Sequence, residues 1–378
     1  MRWLRNKRHR AAASPETRYP GEAAPWRRWA LHGGLLALTF ATTTLAGAEW
    51  IHQQLFWLGG PRDETFRLTG WLTSAQVLDG LWFSVPFLGV LTVHELGHFI
   101  MARRLGIRTS WPYYIPFYLG IGPSIGTMGA VIRIQDRIYS RRDFFDVGIA
   151  GPLAGFAVLL PLLLVAFATL PAHLPAPPPP GLWLGRNLLL TGLEKAFGVP
   201  AALHPALTRQ PLVLAGYLSA FFTALNLLPI GQLDGGHVLY GLLGPGRAAR
   251  LSVGAYAALV FYAGLGLVTP ALAPATLAWA APAYLGLLFV LARPAVPTPR
   301  LAAAVALGLG GLQFGVAAAW PNLSGNPGWL LLALFLARGV GLFHPIAPLD
   351  EALDRKRRAL GWFAMALLVL CFAPSPFD

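Results

Sequence analysis

The chain has 378 residues, of which 55% are hydrophobic and only 12% charged. Soluble domains carry about 25% charged residues, so half that share, arranged in apolar runs of about 20 residues, excludes an ordinary aqueous globule and points to a polytopic membrane protein. The net charge of +13 does not indicate a nucleic-acid partner, because its Lys and Arg residues fall in short clusters between apolar runs, as in the loops of a membrane protein.

Residues 1–29 ("MRWLRNKRHR" to "PWRRWA") read as a basic cytoplasmic N-terminal segment. The first apolar run, 30–48, ends on "LAGA", which has the A-x-A form of a signal-peptide cleavage site. The preface is long for a signal peptide, so an uncleaved span is expected, with its outer loop extending to residue 76. Further apolar segments lie at 77–100, 144–170, 211–230, 251–269, 276–292, 301–320, 328–344 and 360–374, giving nine candidate spans. Threading them alternately, with the N-terminus in the cytoplasm, puts 24 of the 29 Lys and Arg residues inside and 5 outside. That asymmetry follows the positive-inside rule. The outer loop 171–210 holds "PAPPPP", a stiff linker, and is too short for an inserted domain. One cysteine, Cys371, excludes an intrachain disulfide.

Within the second apolar segment the sequence reads "LTVHELGHFIMARRLG" (91–106), placing His94, Glu95 and His98 where polar groups are expensive. On a helix, residues four apart leave the same face, so both imidazoles can hold one metal ion. Glu95 lies beside them as a general base acting on water, the arrangement of H-E-x-x-H zinc hydrolases. With 9 His and 7 Glu in the chain, chance would supply this pattern only ~0.004 times. A catalytic zinc needs a third protein ligand and an open position. Asp234, in "AFFTALNLLPIGQLDGGHVLYGLLG" (220–244), is the carboxylate buried in an apolar segment. Asp79 lies at a segment end, and Asp136, Asp143 and Asp146 lie in or beside a basic loop. Counting 1.5 Å per residue puts His94 roughly 25 Å and Asp234 roughly 35 Å from the outer surface. Pro229, Gly231, Gly235 and Gly236 break the second segment and absorb the difference. His237 reads as a residue lining the helix after the break, with a fourth ligand or a donor behind the ligands as alternatives. His32, His52, His173, His204 and His344 are assigned no role.

"HELGH", "GPLAG" (151–155) and "NLLPIGQLDGG" (226–236) together resemble the site-2 protease family of intramembrane zinc metalloproteases, peptidase family M50, across residues 77 to 244. The resemblance implies one Zn2+ ion held by His94, His98 and Asp234, with Glu95 as the base and Asn226 helping to hold the substrate backbone. It implies an endopeptidase cleaving membrane-protein substrates in or near their transmembrane helices, in regulated intramembrane proteolysis. "IGPSIGTMGAVIRI" (121–134) is similar to the family's membrane-associated β-hairpin, its glycines punctuating a β-branched, alternating run. Gly126, Thr127, Met128 and Gly129 are expected to pair with an unwound substrate. The outer loop leaves no room for a PDZ domain, so the pattern resembles the compact members related to chloroplast and cyanobacterial proteins.

The expected fold is an all-α polytopic membrane protein: a three-helix metalloprotease core (77–244) with a small β-hairpin, and additional C-terminal transmembrane helices over 245–378. The expected location is a bacterial cytoplasmic membrane, in contact with the lipid bilayer, the active site towards the cytoplasm. A zinc or proton-coupled transporter is the rival reading. It would carry inverted repeats and several intramembrane carboxylates, and no second half of this chain resembles the metal segment.

Overall fold

The computed structural model describes residues 25–53, 72–119, 124–174 and 183–377. Most of the basic N-terminal segment, most of the first outer loop, the first residues of the "IGPS" stretch and the proline run lie outside the described residues. Among the described residues the regular structure is helical apart from one antiparallel hairpin. Helix α1 (Pro25–His52) leads to α2 (Ser74–Arg104), which starts in a capping box: Thr73 accepts from the Gln76 backbone N–H while the Gln76 side chain bonds back to Thr73. Strands β1 (Tyr113–Phe117) and β2 (Gly126–Val131) follow, then α3 (Arg141–Ala168), capped by Ser140.

The strands pair Tyr113 with Val131 and Phe117 with Gly126, with a bulge between Tyr114 and Pro116. They lie against α1. The Thr42 hydroxyl donates to the Gly126 carbonyl at 2.7 Å, the Trp50 indole to the Ser124 carbonyl at 2.9 Å, and the Tyr118 hydroxyl to Glu49 at 2.5 Å.

On the far side, α4 (Leu188–Ala196) and a 3-10 segment (Ala201–Arg209) form a small cap over α5 (Pro211–Leu227). Pro229 ends the α5 segment and a tight turn delivers the chain into α6 (Asp234–Leu243). Helices α7 (Pro245–Gly264), α8 (Pro274–Ala292), α9 (Pro299–Ala319), α10 (Gly328–Phe335, continuing as a π-turn to Val340) and α11 (Arg355–Cys371) complete the described chain.

The main core joins α2, α3 and α5 through Phe83, Phe87, Leu159, Leu163, Tyr217 and Leu218, each essentially without solvent exposure. A second core lies among α7, α8 and α10. Large apolar side chains such as Trp279, Leu307 and Leu331 face outward on α8, α9 and α10, as the lipid-facing side of a membrane protein requires.

Nine apolar segments do not become nine full-length spans. Five described helices are long and apolar enough to cross a membrane: 29–52, 74–104, 141–168, 274–295 and 299–319. A sixth is counted if the cap segment and α5, bent by 97°, are taken as one. The shortfall has identifiable causes. The fourth segment is broken at Pro229, α7 carries Arg247 and Arg250, and α10 runs for only eight residues before its π-turn. Helix α11 opens on four consecutive basic residues.

Candidate metal centre

Two interhelical approaches build the site. The first is α2 against α3, made possible by small residues. A Cβ on Gly97 would lie 2.5 Å from the Ala150 carbonyl oxygen, and one on Gly151 would overlap the His98 imidazole. Gly155 faces His94 in the same way, at 3.2 Å. "GPLAG" is therefore a close-packing element in mid-helix, where removing side chains lets backbones approach.

The second approach is the broken segment. A Cβ on Gly235 would overlap the Leu227 carbonyl, so glycine there lets the first turn of α6 fold back against the end of α5. This places Asp234 in the first turn of α6, where the helix dipole favours a carboxylate.

The outcome is a triangle of ligand atoms. His94 Nε2 lies 3.1 Å from His98 Nε2, and Asp234 Oδ2 lies 3.2 Å from each. His94, His98 and Asp234 are the one His/Cys/Asp/Glu group among the described residues whose ligand atoms gather closely enough to hold a metal ion. Both imidazoles are buried, and the Asp234 side chain is 16% exposed.

The residues fit a metal. Ligands bound at about 2.0–2.1 Å in a tetrahedron stand about 3.3 Å apart, close to the edges found. The chemistry of the donors agrees. His98 Nδ1 lies 2.8 Å from the Val147 carbonyl, which only accepts, so that nitrogen carries the proton. In the neutral ring Nε2 is then a lone pair, turned towards another imidazole nitrogen and a carboxylate oxygen. Such convergence of electron pairs suits a cation, and the backbone bond orients the ring as metal-binding histidines require.

A cavity of about 450 Å³ opens on the triangle. Glu95, 5% exposed, lines it beside His94 and His98, with Asn226, Gln232 and His237 on other walls. Asn226 Nδ2 approaches His94 Nε2 to 3.4 Å. Of the hairpin, residues 130–134 border the cavity. Gly126, Thr127, Met128 and Gly129 stand further back along β2. Gly126 is packed against Thr42 and Thr43 of α1, and the Thr127 hydroxyl donates to the Ile115 carbonyl across the hairpin at 2.8 Å. Met128 faces outward, and Gly129 lies against Phe222 of α5.

His237 lines this cavity but lies outside the ligand triangle. Its Nδ1 is 2.6 Å from Nε2 of His344, a residue to which the sequence reading gave no role. No spacing signal marks His344: it is 107 residues further on, in the loop between α10 and α11, and only the tertiary fold brings it here.

A family model for peptidase family M50 matches residues 82–269. The chain is 29% identical over 310 residues to "Probable zinc metalloprotease EGY2, chloroplastic" of Arabidopsis thaliana, covering 79% of this chain and 42% of that protein. It is 32% identical over 182 residues to the protein of the same name from Oryza sativa subsp. indica, covering 46% and 31%. It is 34% identical over 176 residues to "Probable zinc metalloprotease EGY1, chloroplastic" of Arabidopsis thaliana, again covering 46% and 31%. The chain thus spans between 31% and 42% of the length of these relatives. No solved structure matches. The matched region contains His94, Glu95, His98, Asn226 and Asp234, and the chain belongs to peptidase family M50, the site-2 protease family.

Proposed function

We propose that the chain is a zinc-dependent endopeptidase that hydrolyses a peptide bond of another membrane protein, in or near a transmembrane segment, with one ion held by His94, His98 and Asp234. The observation that carries this reading is the ligand triangle, 3.1–3.2 Å on each edge, with the Glu95 carboxylate beside it in a cavity bordered by a strand. When bound, zinc supplies Lewis acidity that acidifies water and polarises a carbonyl.

The chain's own groups do the rest. Glu95 takes the proton of the attacking water as the new C–O bond forms. It delivers that proton to the amine as the C–N bond breaks. Residues 130–134 offer backbone groups to an extended peptide, whose helix must unwind before its carbonyl is accessible. Asn226 holds the substrate backbone next to His94. A cavity open to water is needed at this depth, because hydrolysis consumes water in a region otherwise lined by apolar helices.

The excess of Lys and Arg on one set of loops supports a cytoplasmic N-terminus and a site towards that side. The named relatives are plant chloroplast proteins; for this chain a bacterial cytoplasmic membrane is the proposed location, and release of a membrane-tethered regulator the proposed role.

The test uses purified protein with a transmembrane peptide substrate. Glu95→Gln is expected to keep zinc and lose cleavage, and Asp234→Ala to lose zinc itself. Substantial proteolysis by Glu95→Gln would refute the assignment. Zinc uptake into liposomes that survives Glu95→Gln would put a transporter in its place.

A further inference from the structure

The loop between α10 and α11 is strapped across the metal-bearing half of the protein. The Gln232 amide donates to the Val340 carbonyl at 3.2 Å, and the Ser252 hydroxyl to the Leu342 carbonyl at 2.8 Å. The Ala347 N–H donates to the Tyr240 hydroxyl at 2.9 Å, and Leu349 bridges to Ser140 at the start of α3. These bonds fix His344 between Tyr240, on which its ring stacks at 4.0 Å and 13°, and Phe144, which meets it edge-on at 4.7 Å.

Proton positions in this cluster follow from what each atom can do. His344 Nδ1 lies 2.6 Å from the Pro345 carbonyl. A carbonyl only accepts, so Nδ1 carries the proton, and in the neutral ring Nε2 is a lone pair. That lone pair faces His237 Nδ1 at 2.6 Å, so His237 Nδ1 must be the donor. The remaining nitrogen of His237, Nε2, is then an acceptor. Among the described residues it has no hydrogen-bond partner, and its ring lines the cavity shared by Glu95 and the ligand triangle. One aromatic and one backbone contact hold the side chain: Phe144 stacks on the ring at 5.5 Å, and a Cβ on Gly148 would overlap the His237 Cβ, so α3 packs directly against it.

We propose that His344 is a positioning residue: it locks His237 in the Nδ1–H form, so that His237 Nε2 accepts a hydrogen bond from a backbone N–H of the substrate in the catalytic cavity. This rests on the protease reading for its substrate, but not for its chemistry. It gives the helices beyond residue 250 a role in the site. They carry a strap whose histidine sets the polarity of one cavity wall. A mistaken tautomer would present N–H to N–H and repel the strand it should hold.

The test compares three variants of the full chain. His344→Phe keeps the stacking on Tyr240 and removes the acceptor. His344→Gln keeps an acceptor near the same position. His237→Phe removes the presented nitrogen. In 15N-histidine spectra of the protein in detergent, His237 should be Nδ1-protonated in the wild type and in His344→Gln, and should change tautomer in His344→Phe. Zinc content should be equal in all three. With the transmembrane peptide, kcat/KM is expected to fall about 10- to 100-fold in His344→Phe and His237→Phe, to recover in His344→Gln, and to fall no further in the double variant. A wild-type His237 protonated on Nε2, or a tautomer indifferent to His344→Phe, overturns the proposal, as does His344→Phe cleaving at the wild-type rate. If wild-type protein fails to cleave any substrate, the protease reading fails by itself, and the tautomer measurement still decides the histidine pair.

Discussion

Gly151→Ala would perturb the proposed metal centre without replacing any of its three proposed ligands. The added Cβ would overlap His98 Nε2 and would meet Cε1 of the same ring at 2.5 Å. Unstrained heavy-atom contacts begin near 3.5 Å, so the imidazole, whose Nε2 would stand 2.1 Å from the new Cβ, must retreat by about 1.4 Å. Metal–ligand distances tolerate about 0.2 Å, so the ring leaves the triangle. It also strains the 2.8 Å bond from His98 Nδ1 to the Val147 carbonyl. Zinc sites bind with about 10–16 kcal/mol over four ligands, or about 2.5–4 kcal/mol for each; losing one weakens zinc about 10²- to 10³-fold. The substitution should not cost the fold a comparable amount, because Ala is favoured over Gly in a helix by up to about 1 kcal/mol.

Two companions grade the effect. Gly155→Ala puts its Cβ 3.2 Å from His94 Cβ, so the ring gives by a few tenths of an ångström and zinc should weaken less than about tenfold. Gly89→Ala, in α2 itself, meets nothing within 4 Å and should leave zinc unchanged. Zinc per protein, measured against chelators of graded strength, reads affinity. Labelling of Cys371, the lone and fully buried thiol, reads unfolding. Wild-type zinc affinity in Gly151→Ala, or equal loss in Gly89→Ala, would refute the geometry.

Three further outcomes follow from contacts outside the ligand set. Arg357→Met removes a two-pronged bond to Asp146, both contacts at 2.7 Å, and a bond to Asp354 at the cap of α11; unfolding followed at Cys371 should come earlier, by about 1–3 kcal/mol. Gly235→Ala should prevent the first turn of α6 from packing under Leu227, giving protein that labels at Cys371 without heating. At the base of the hairpin, Arg108 holds the Asp136 carboxyl below the ordinary carboxylate range through its side-chain hydrogen bonds. A lowered pKa contributes stability above the ordinary value of about 3.9 and loses it as pH falls through the lowered one. Proteolytic nicking at 105–137 should therefore be constant from pH 6 to 8 and rise only in strong acid, whereas Asp136→Asn should nick faster at neutral pH.

The part of the site that the sequence revealed is the part written in local geometry. His94, Glu95 and His98 share one unbroken helix, so their spacing alone gives a common face. Asp234 was legible because a carboxylate in an apolar run needs a partner, and because depth along the two segments could be counted. The hairpin was legible from glycines at 126 and 129, both of which adopt positive φ. Which part of it borders the cavity was not, since alternation gives faces and not distances. The span count erred where Pro229 and the π-turn after Phe335 cut apolar runs that composition joins.

The His237–His344 pair illustrates a different limit. Its two members are each unremarkable by spacing, and they meet only because residues 340–349 bond to Gln232, Tyr240, Ser252 and the start of α3. The same strap lies over the turn that carries Asp234: Gly231, whose φ is +55°, packs so closely under Gly341 that a Cβ there would overlap the Gly341 carbonyl. The turn and the strap therefore form one packed unit, and a change in the last helices reaches the segment that carries Asp234 through backbone contact. The C-terminal third, silent in motifs, is in this way mechanically continuous with the centre that the motifs mark.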